Sequence, residues 1–467
     1  MEKIYDLVII GAGPGGYVAA IRAAQHGLSV AVIEKDAPGG VCLNWGCIPS
    51  KSLIHQAQEF KSLSAMEAVG IRIDRSNFRY AAVQARSREV AATLAQGVAG
   101  LLRKNKVFLI RARAQLSGVD RLTLQGGEHD GKTLRAKHII LATGSRPMEL
   151  RGFEFDERQV LSSSGFLALT ELPKSLVILG AGAIGCEFAY VMNAFGVAVT
   201  LVEMASQILP SEDGEAVAVL AASLRADGVD IRTGTRARAL RSGKQDVVIT
   251  LEQGGQTTTL RAEKVLAVFG RAPNTDGIGL LETGVHIDPS GYIVTGDYGQ
   301  TSVKGIFAVG DVTSTPALAH VASKEAEIAV DYIAGVRNLE SVIDSSMVPS
   351  AVYCEPQLAG FGLREEQARA AGVEYKKSVF PYRGAGKSVA IGRPEGLVKI
   401  LVDRSTGEIL GAHIVGANAT ELIHELLLAR HAELLGADVQ SMIHAHPTLS
   451  EAIMEAARGI DGRPIHF

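Results

Sequence analysis

Two stretches of this chain repeat one pattern, and that pattern limits what the chain can fold into. Leu7-Val-Ile-Ile-Gly11-Ala-Gly13-Pro-Gly-Gly16 runs into a helical stretch and then Ser29-Val-Ala-Val-Ile-Glu34. Leu176-Val-Ile-Leu-Gly180-Ala-Gly182-Ala-Ile-Gly185 runs into another and then Val199-Thr-Leu-Val-Glu203. Each reads as apolar strand, GxGxxG turn, helix, second apolar strand and terminal Glu, with the acid 18 residues after the third Gly in both. This is a duplicated βαβ unit and not the period of a solenoid. The first Gly makes the strand-to-helix turn, the second lets backbone N–H groups approach a pyrophosphate, and the third lets helix pack on strand. The helix N-terminus attracts the phosphates, and the Glu accepts hydrogen bonds from ribose hydroxyls. Two units imply two dinucleotides. A carboxylate at Glu34 and at Glu203 favours a free 2′-hydroxyl over a 2′-phosphate. Met204-Ala205-Ser206 brings no Arg after the second acid, so that site reads as NAD.

A chain of 467 residues exceeds one ordinary core and predicts two to four domains. Between the units, Lys137-His-Ile-Ile-Leu-Ala-Thr143-Gly144-Ser-Arg-Pro147 reads as a strand and a domain exit. A second exit follows Val265-Leu-Ala-Val-Phe-Gly270-Arg271-Ala-Pro273-Asn274, and Gly305-Ile-Phe-Ala-Val-Gly310-Asp311 is a strand ending in Gly-Asp. From about Met347 the pattern changes to strands, Leu397 to Val402 and Ile409 to Val415, and then helices, an α+β stretch. The expected segments are 1–147, 148–272, 273–346 and 347–467. The net charge of −3 leaves neither a nucleic-acid footprint nor a polybasic membrane patch. No apolar run approaches the ~18 residues of a membrane span. Leu7 to Ile10 passes straight into the Gly-rich turn, which predicts a strand and not a signal peptide.

Four cysteines in so long a chain do not make a secreted disulfide framework, so a reducing, cytoplasmic setting is expected. Cys42 and Cys47 lie in Gly39-Gly-Val-Cys42-Leu-Asn-Trp-Gly-Cys47-Ile-Pro-Ser-Lys51, just after the first unit. Beside a cofactor site they suggest a dithiol that cycles with its disulfide; two inert thiols or a metal pair are the competing readings. No second Cys pair completes a zinc site. A five-residue step in a regular helix rises about 7.5 Å. A disulfide needs Cα atoms within about 7 Å. An oxidised pair therefore predicts a distorted, non-helical turn, followed by a helix over 49–63 with Pro49 in its first turn. The start of that helix favours thiolate. Cys186 and Cys354 are isolated and read as core. Near the C-terminus, Ile443-His444-Ala-His446-Pro447-Thr448-Leu-Ser450-Glu451 has two readings. His446 with Glu451 is a base and its orienting acid, or Thr448-x-x-Glu451 is a capping box opening a helix over 450–458.

The cysteine run, the paired GxGxxG units, Ala142-Thr143-Gly144, Gly310-Asp311 and His444-Ala-His446-Pro-Thr-Leu-Ser-Glu451, in this order, span essentially the whole chain. Together they resemble the FAD-dependent pyridine nucleotide–disulfide oxidoreductases, and among them the dihydrolipoamide dehydrogenases. Trp45 departs from the smaller apolar residue common in that family and reads as packing. The resemblance implies an α/β fold with two Rossmann-like FAD/NAD(P)-binding domains and a C-terminal α+β dimerisation domain. It implies FAD in the first unit at Gly11, Gly13, Gly16 and Glu34, with Lys51, Thr143, Gly144, Gly270, Gly310 and Asp311 nearby. It implies NAD at Gly180, Gly182, Gly185 and Glu203. Cys47 is then the cysteine beside the flavin and Cys42 the one facing substrate. Lys51 pairs with Glu187, and His446 with Glu451 is the base, acting from the other subunit of a homodimer. His444 and His320 are weaker candidates. The implied reaction is oxidation of dihydrolipoyl groups by NAD⁺, on 2-oxoacid dehydrogenase acyltransferases or the glycine cleavage carrier protein. An NADPH-dependent disulfide reductase resembling glutathione reductase is the alternative.

Overall fold

The computed structural model describes residues 4–336 and 340–467; Met1 to Lys3 and positions 337–339 of the expected 273–346 segment lie outside the described residues. The first repeat folds as strand β1 (Ile4–Ile10), helix α1 (Pro14–Gln25) and strand β2 (Val30–Glu34). Helices α2 (Gly40–Trp45), α3 (Cys47–Ala68) and α4 (Tyr80–Lys104) follow, then strands β3 (Phe108–Arg111), β4 (Arg113–Gly118), β5 (Arg121–Gln125) and β6 (Thr133–Leu141). The sheet runs in the order β3-β2-β1-β6-β5-β4. Strand Ile306–Ala308 returns from far along the chain to lie parallel to the end of β6.

Period-two alternation explains the depth of this sheet. Tyr5, Val8 and Ile10 of β1 enter one apolar cluster with Ala31 and Ile33 of β2. Leu7 and Ile9 enter another with Val30 and Val32, on the opposite face. A parallel sheet covered on both faces needs such continuous apolar strands. Each fully buried Leu or Ile there contributes about 1.5–3 kcal/mol relative to exposure.

The second repeat builds strand Ser175–Leu179, helix Ala183–Ala194 and strand Ala198–Val202, with Ala198–Val202 parallel to Ser175–Leu179. Strands Asp230–Arg232, Lys264–Ala267 and Val160–Leu161 complete a parallel sheet. The two exits read from the sequence meet each other, because Arg271–Pro273 pairs antiparallel with Ser145–Pro147. The chain thus enters and leaves the second unit through one two-stranded ribbon.

The C-terminal part is a five-stranded antiparallel sheet. It contains the two expected strands, as Leu397–Asp403 and Ile409–Gly416, and three more that the sequence pattern did not single out. Helices Ala419–His431 and Glu451–Gly459 pack on it. The fold is α/β, with two dinucleotide-binding units and an α+β unit after them. No helix among the described residues is long and apolar enough to cross a membrane.

Candidate active site

The two GxGxxG turns have the same geometry. Gly11 and Gly180 take φ of 101° and 107°, a left-handed conformation that a side chain would strain. A Cβ on Gly16 would lie 1.9 Å from the Gly11 carbonyl oxygen, and one on Gly185 2.0 Å from that of Gly180. The third Gly therefore lets the helix start close over its own turn. The second Gly differs: a Cβ on Gly182 would meet nothing within 4 Å. Neither helix has a side-chain cap at its N-terminus, whereas Ser162 and Asp213 cap two other helices of the chain. Open space in front of uncapped N–H groups fits a pyrophosphate. The two acids are also set alike. Glu34 accepts from Ala12 N at 2.7 Å and Asp36 N at 2.9 Å. Glu203 accepts from Ala181 N and Ala205 N, both at 2.8 Å. Each carboxylate is thereby fixed at the tip of the second strand, where a ribose would lie. No Arg occupies the three positions after Glu203, but Arg236 reaches the place from a neighbouring strand. Its guanidinium lies 3.1 and 3.3 Å from the Met204 sulfur.

The cysteine run folds as helix, break, helix. Gly39 starts α2 at φ 98°, and a Cβ on Gly40 would lie 2.6 Å from Gly13 Cα. This close approach seats α2, and Cys42 within it, against the first phosphate turn. Asn44 is buried and donates to Pro38 O and Gly40 O, locking α2 to its own entry. Arg88 lies 4.3 Å over the Trp45 ring and donates to Asn44 O, so Trp45 ties α2 to α4 by packing. The expected non-helical turn is narrower than the sequence suggested. Only Gly46 is non-helical (φ −152°, ψ −112°), and α3 starts at Cys47 and runs to Ala68, past both expected ends. Pro49 does fall in its first turn, where a missing N–H costs nothing.

All four cysteines are free thiols, with Cys186 and Cys354 buried. Cys42 and Cys47 hydrogen-bond each other, and this splits their acidities. Donation to Cys47, burial and the neighbouring charge push Cys42 well up. The same hydrogen bond pulls Cys47 down to about 7 against burial, helped by Lys51. Cys47 and Lys51 are four residues apart on α3 and so share a face. Lys51 Nζ donates to both oxygens of Glu187 at 3.0 Å. Glu187 is 3% exposed on helix Ala183–Ala194, so the second unit supplies the counter-ion for the first. Burial presses the Lys51 ammonium toward neutrality, but the charge and hydrogen bonds of Glu187 hold it above its ordinary value.

At the ribbon, Ser145 Oγ donates to Asp311 at 2.5 Å, and Arg271 donates to Ser145 Oγ at 2.6 Å while lying 3.7 Å from Asp311. Asn274 donates to Thr143 O at 2.9 Å and receives Thr143 Oγ1 at 2.8 Å. Gly310 N donates to Glu325 at 2.6 Å. Ser145, Arg271, Asn274 and Glu325 were missed in sequence, although Arg271 directly follows Gly270, which was singled out, and Asn274 lies four residues after it.

His446 lies apart from these groups on a 74% exposed side chain, with Nδ1 2.9 Å from Glu451 Oε1. Glu451 Oε2 accepts from Thr448 N at 2.9 Å, so one carboxylate serves both readings of that motif. The capping box itself is incomplete. The helix opens at Glu451 with Ser450 as N-cap, and Thr448 Oγ1 donates to Ala445 O. Burial raises the Glu451 carboxyl, but Thr448 N–H and His446 bring it below its ordinary value. An ionised Glu451 is acceptor-only, so Nδ1 carries the proton and a neutral ring leaves Nε2 as an acceptor. His444 instead contacts Glu425 at 2.7 Å, and His320 contacts Pro349 O at 3.0 Å.

Family models agree with this architecture. Residues 5–326 match the pyridine nucleotide-disulphide oxidoreductase family, and residues 348–457 match its dimerisation domain, which supports a homodimer. The chain is 42% identical to dihydrolipoyl dehydrogenase of Corynebacterium glutamicum, covering 100% of both. It is 40% identical to that of Geobacillus stearothermophilus, covering 99% of this chain and 97% of the relative. Among solved structures, LpdA of Mycobacterium tuberculosis superposes with a TM-score of 0.90 at 28% identity, over 97% of this chain and 98% of that one. An HOCl-induced flavoprotein disulfide reductase of Escherichia coli, RclA, superposes with a TM-score of 0.86 at 27% identity, over 97% and 99%. The family uses FAD and NAD(H), and both phosphate turns fit such cofactors. This chain belongs to the pyridine nucleotide–disulphide oxidoreductases, within their dihydrolipoyl dehydrogenase family.

Proposed function

We propose that this protein oxidises dihydrolipoyl groups to lipoyl with NAD⁺ as acceptor, through a Cys42–Cys47 disulfide. Segments 1–147 and 273–346 form the FAD unit, 148–272 the NAD unit and 347–467 the interface unit. FAD is held at Gly11, Gly13, Gly16 and Glu34, with Lys51, Thr143, Gly144, Gly270, Gly310 and Asp311 around it. NAD is held at Gly180, Gly182, Gly185 and Glu203. His446 of the partner subunit takes the proton of one substrate thiol at Nε2, oriented by Glu451. The substrate thiolate attacks Cys42 Sγ; the Cys42–Cys47 bond breaks and Cys47 leaves as a thiolate. The second substrate thiol attacks the substrate sulfur of the mixed disulfide, its proton passing to the departing Cys42 sulfur while His446 keeps the first. The lipoyl disulfide closes and Cys42 leaves as the thiol, so the electron pair now rests in the dithiol. Bound FAD and NAD⁺ supply the redox chemistry that drains that pair. The partners are lipoyl domains of 2-oxoacid dehydrogenase acyltransferases or the glycine cleavage carrier protein, and a reducing cytoplasm suits a disulfide that must reopen each cycle.

The observation that carries this reading is the acidified Cys47 at the start of α3, beside Lys51 and hydrogen-bonded to a Cys42 whose helix is seated against the first phosphate turn. A low thiol value makes Cys47 the better leaving group. Anaerobic titration with dihydrolipoamide should raise a long-wavelength thiolate–flavin band, and NAD⁺ should discharge it. Cys47→Ser should remove the band; its persistence in that variant would refute the assignment. Arg236 beside Met204 favours a second reading, a reductase running on NADPH, against the charge of Glu203. The ratio of kcat/KM for NADH and NADPH separates them.

A further inference from the structure

Three parts of the chain meet at Lys51. The lysine comes from α3 of the first unit, and Glu187 from helix Ala183–Ala194 of the second. The third is Tyr353, which follows strand Ser350–Val352 of the C-terminal sheet. Its backbone N–H donates to Glu187 Oε1 at 3.1 Å. Its ring lies under the Lys51 ammonium, 4.4 Å from Nζ to the ring centre. Glu187 fixes the ammonium from one direction, and the ring face receives it from another. The ring quadrupole attracts a cation on its face, and more strongly where water is excluded. Without that face, a long flexible side chain is held beside the dithiol by Glu187 alone.

We propose that Tyr353 is a positioning residue of the redox centre: its ring keeps the Lys51 ammonium on Glu187 and beside Cys47, so the C-terminal unit must be docked for the thiol to be primed. This rests on the dithiol chemistry proposed above. The groups that face Cys47 are Cys42 from α2, Lys51 on its own helix, Glu187 from the second unit, Arg271 from the ribbon and Tyr353. Lys51 and Arg271 are the cations, and only Lys51 touches Tyr353 among the contacts above.

The test is a pH titration of the thiolate–flavin band in the holoenzyme carrying Cys42→Ser, which leaves one thiol and keeps a hydroxyl donor beside it. In that background Tyr353→Leu should move the midpoint up by about half a pH unit to one unit. Tyr353→Phe keeps the ring and should leave the midpoint in place. With Lys51→Met also present, Tyr353→Leu should add nothing further. An unmoved midpoint in Tyr353→Leu overturns the proposal, as does an equal shift with and without Lys51. An equal shift in Tyr353→Phe overturns it too, by assigning the effect to the hydroxyl. Should Tyr353→Leu fold poorly, Tyr353→Met offers the same loss of ring in a more adaptable side chain, and the same outcomes apply. The titration needs neither lipoyl substrate nor NAD⁺. A shifted midpoint with no dihydrolipoamide turnover in the unsubstituted protein would remove the proposed function and leave the role of Tyr353 standing.

Discussion

At the scale of single residues, the site works by dividing roles between chemically similar groups. Cys42 and Cys47 start as equal thiols, and their shared hydrogen bond with the nearby Lys51 drives their acidities apart. His446 and His444 are two residues apart, yet one presents a free Nε2 outward and the other is tied to Glu425 on a side chain only 3% exposed. Two predictions follow from this division. His446→Gln should lower kcat/KM for dihydrolipoamide about 10²-fold or more, the usual worth of a general base. Reduction of the disulfide from the NADH side should survive, since no substrate thiol is deprotonated there. Glu451→Gln should cost less, because the amide oxygen can still accept one of the two hydrogen bonds. Steady-state rates in both directions check this, and an unchanged forward rate in His446→Gln would remove His446 from the mechanism.

At the scale of elements, glycines of one motif carry different loads. Gly185 sits where a Cβ would overlap the Gly180 carbonyl, so Gly185→Ala must push the helix off its turn. Overpacking of this kind costs about 1–3 kcal/mol, and thermal unfolding should show it. Gly182 has φ −72° and open space in front of it, so Gly182→Val should fold normally and fill the volume that we propose holds phosphate. Its melting temperature should match the unsubstituted protein while the KM for NADH rises. A melting loss as large as that of Gly185→Ala would contradict the assignment of that space. The same logic explains why α2 begins with two glycines. Gly40 must pass Gly13 closely to bring Cys42 to the first phosphate turn.

At the scale of the whole molecule, the units are joined by charge as well as by packing. Lys399 is 1% exposed, with Nζ 2.8 Å from Asp213, 2.7 Å from Glu215 and 2.9 Å from Glu365. Asp213 also caps helix Gly214–Ala226, so one lysine of the C-terminal sheet ties down a helix start in the second unit. Burial acts to raise Glu365, but hydrogen bonds from Lys399, Lys377 and Tyr375 bring it down to about 2. Its folded value lies below its ordinary 4.5, so the stability it contributes is complete above 4.5 and fades as pH falls toward 2. Lys399→Met leaves the fully buried Asp213 without its cation, while Glu365 and Glu215 keep Lys377, and should cost about 3–5 kcal/mol. That loss should be greatest at neutral pH and shrink in acid as the carboxylates take protons. Denaturation midpoints at two pH values check the sign; a loss that is constant with pH would point to packing instead.

What the sequence determined by itself was local. GxGxxG with an acid 18 residues on is a complete instruction, because turn, helix start and strand tip are all made by near neighbours. The cysteine run is equally self-contained, and so is the Glu451 carboxylate that reaches back to His446 and Thr448. The sequence placed a non-helical break between the cysteines, and in the dithiol form that break is the single residue Gly46. The tertiary structure alone decided what distant segments do to each other. Tyr353 reaches Glu187 across 166 positions, and Lys399 reaches Asp213 across 186. Arg271 reaches Ser145 across 126, and Arg236 stands over Met204 although no arginine lies in the few positions directly after it. Charge acts through space without regard to chain distance, so a buried lysine and its carboxylate leave no periodicity or spacing by which a sequence could announce them.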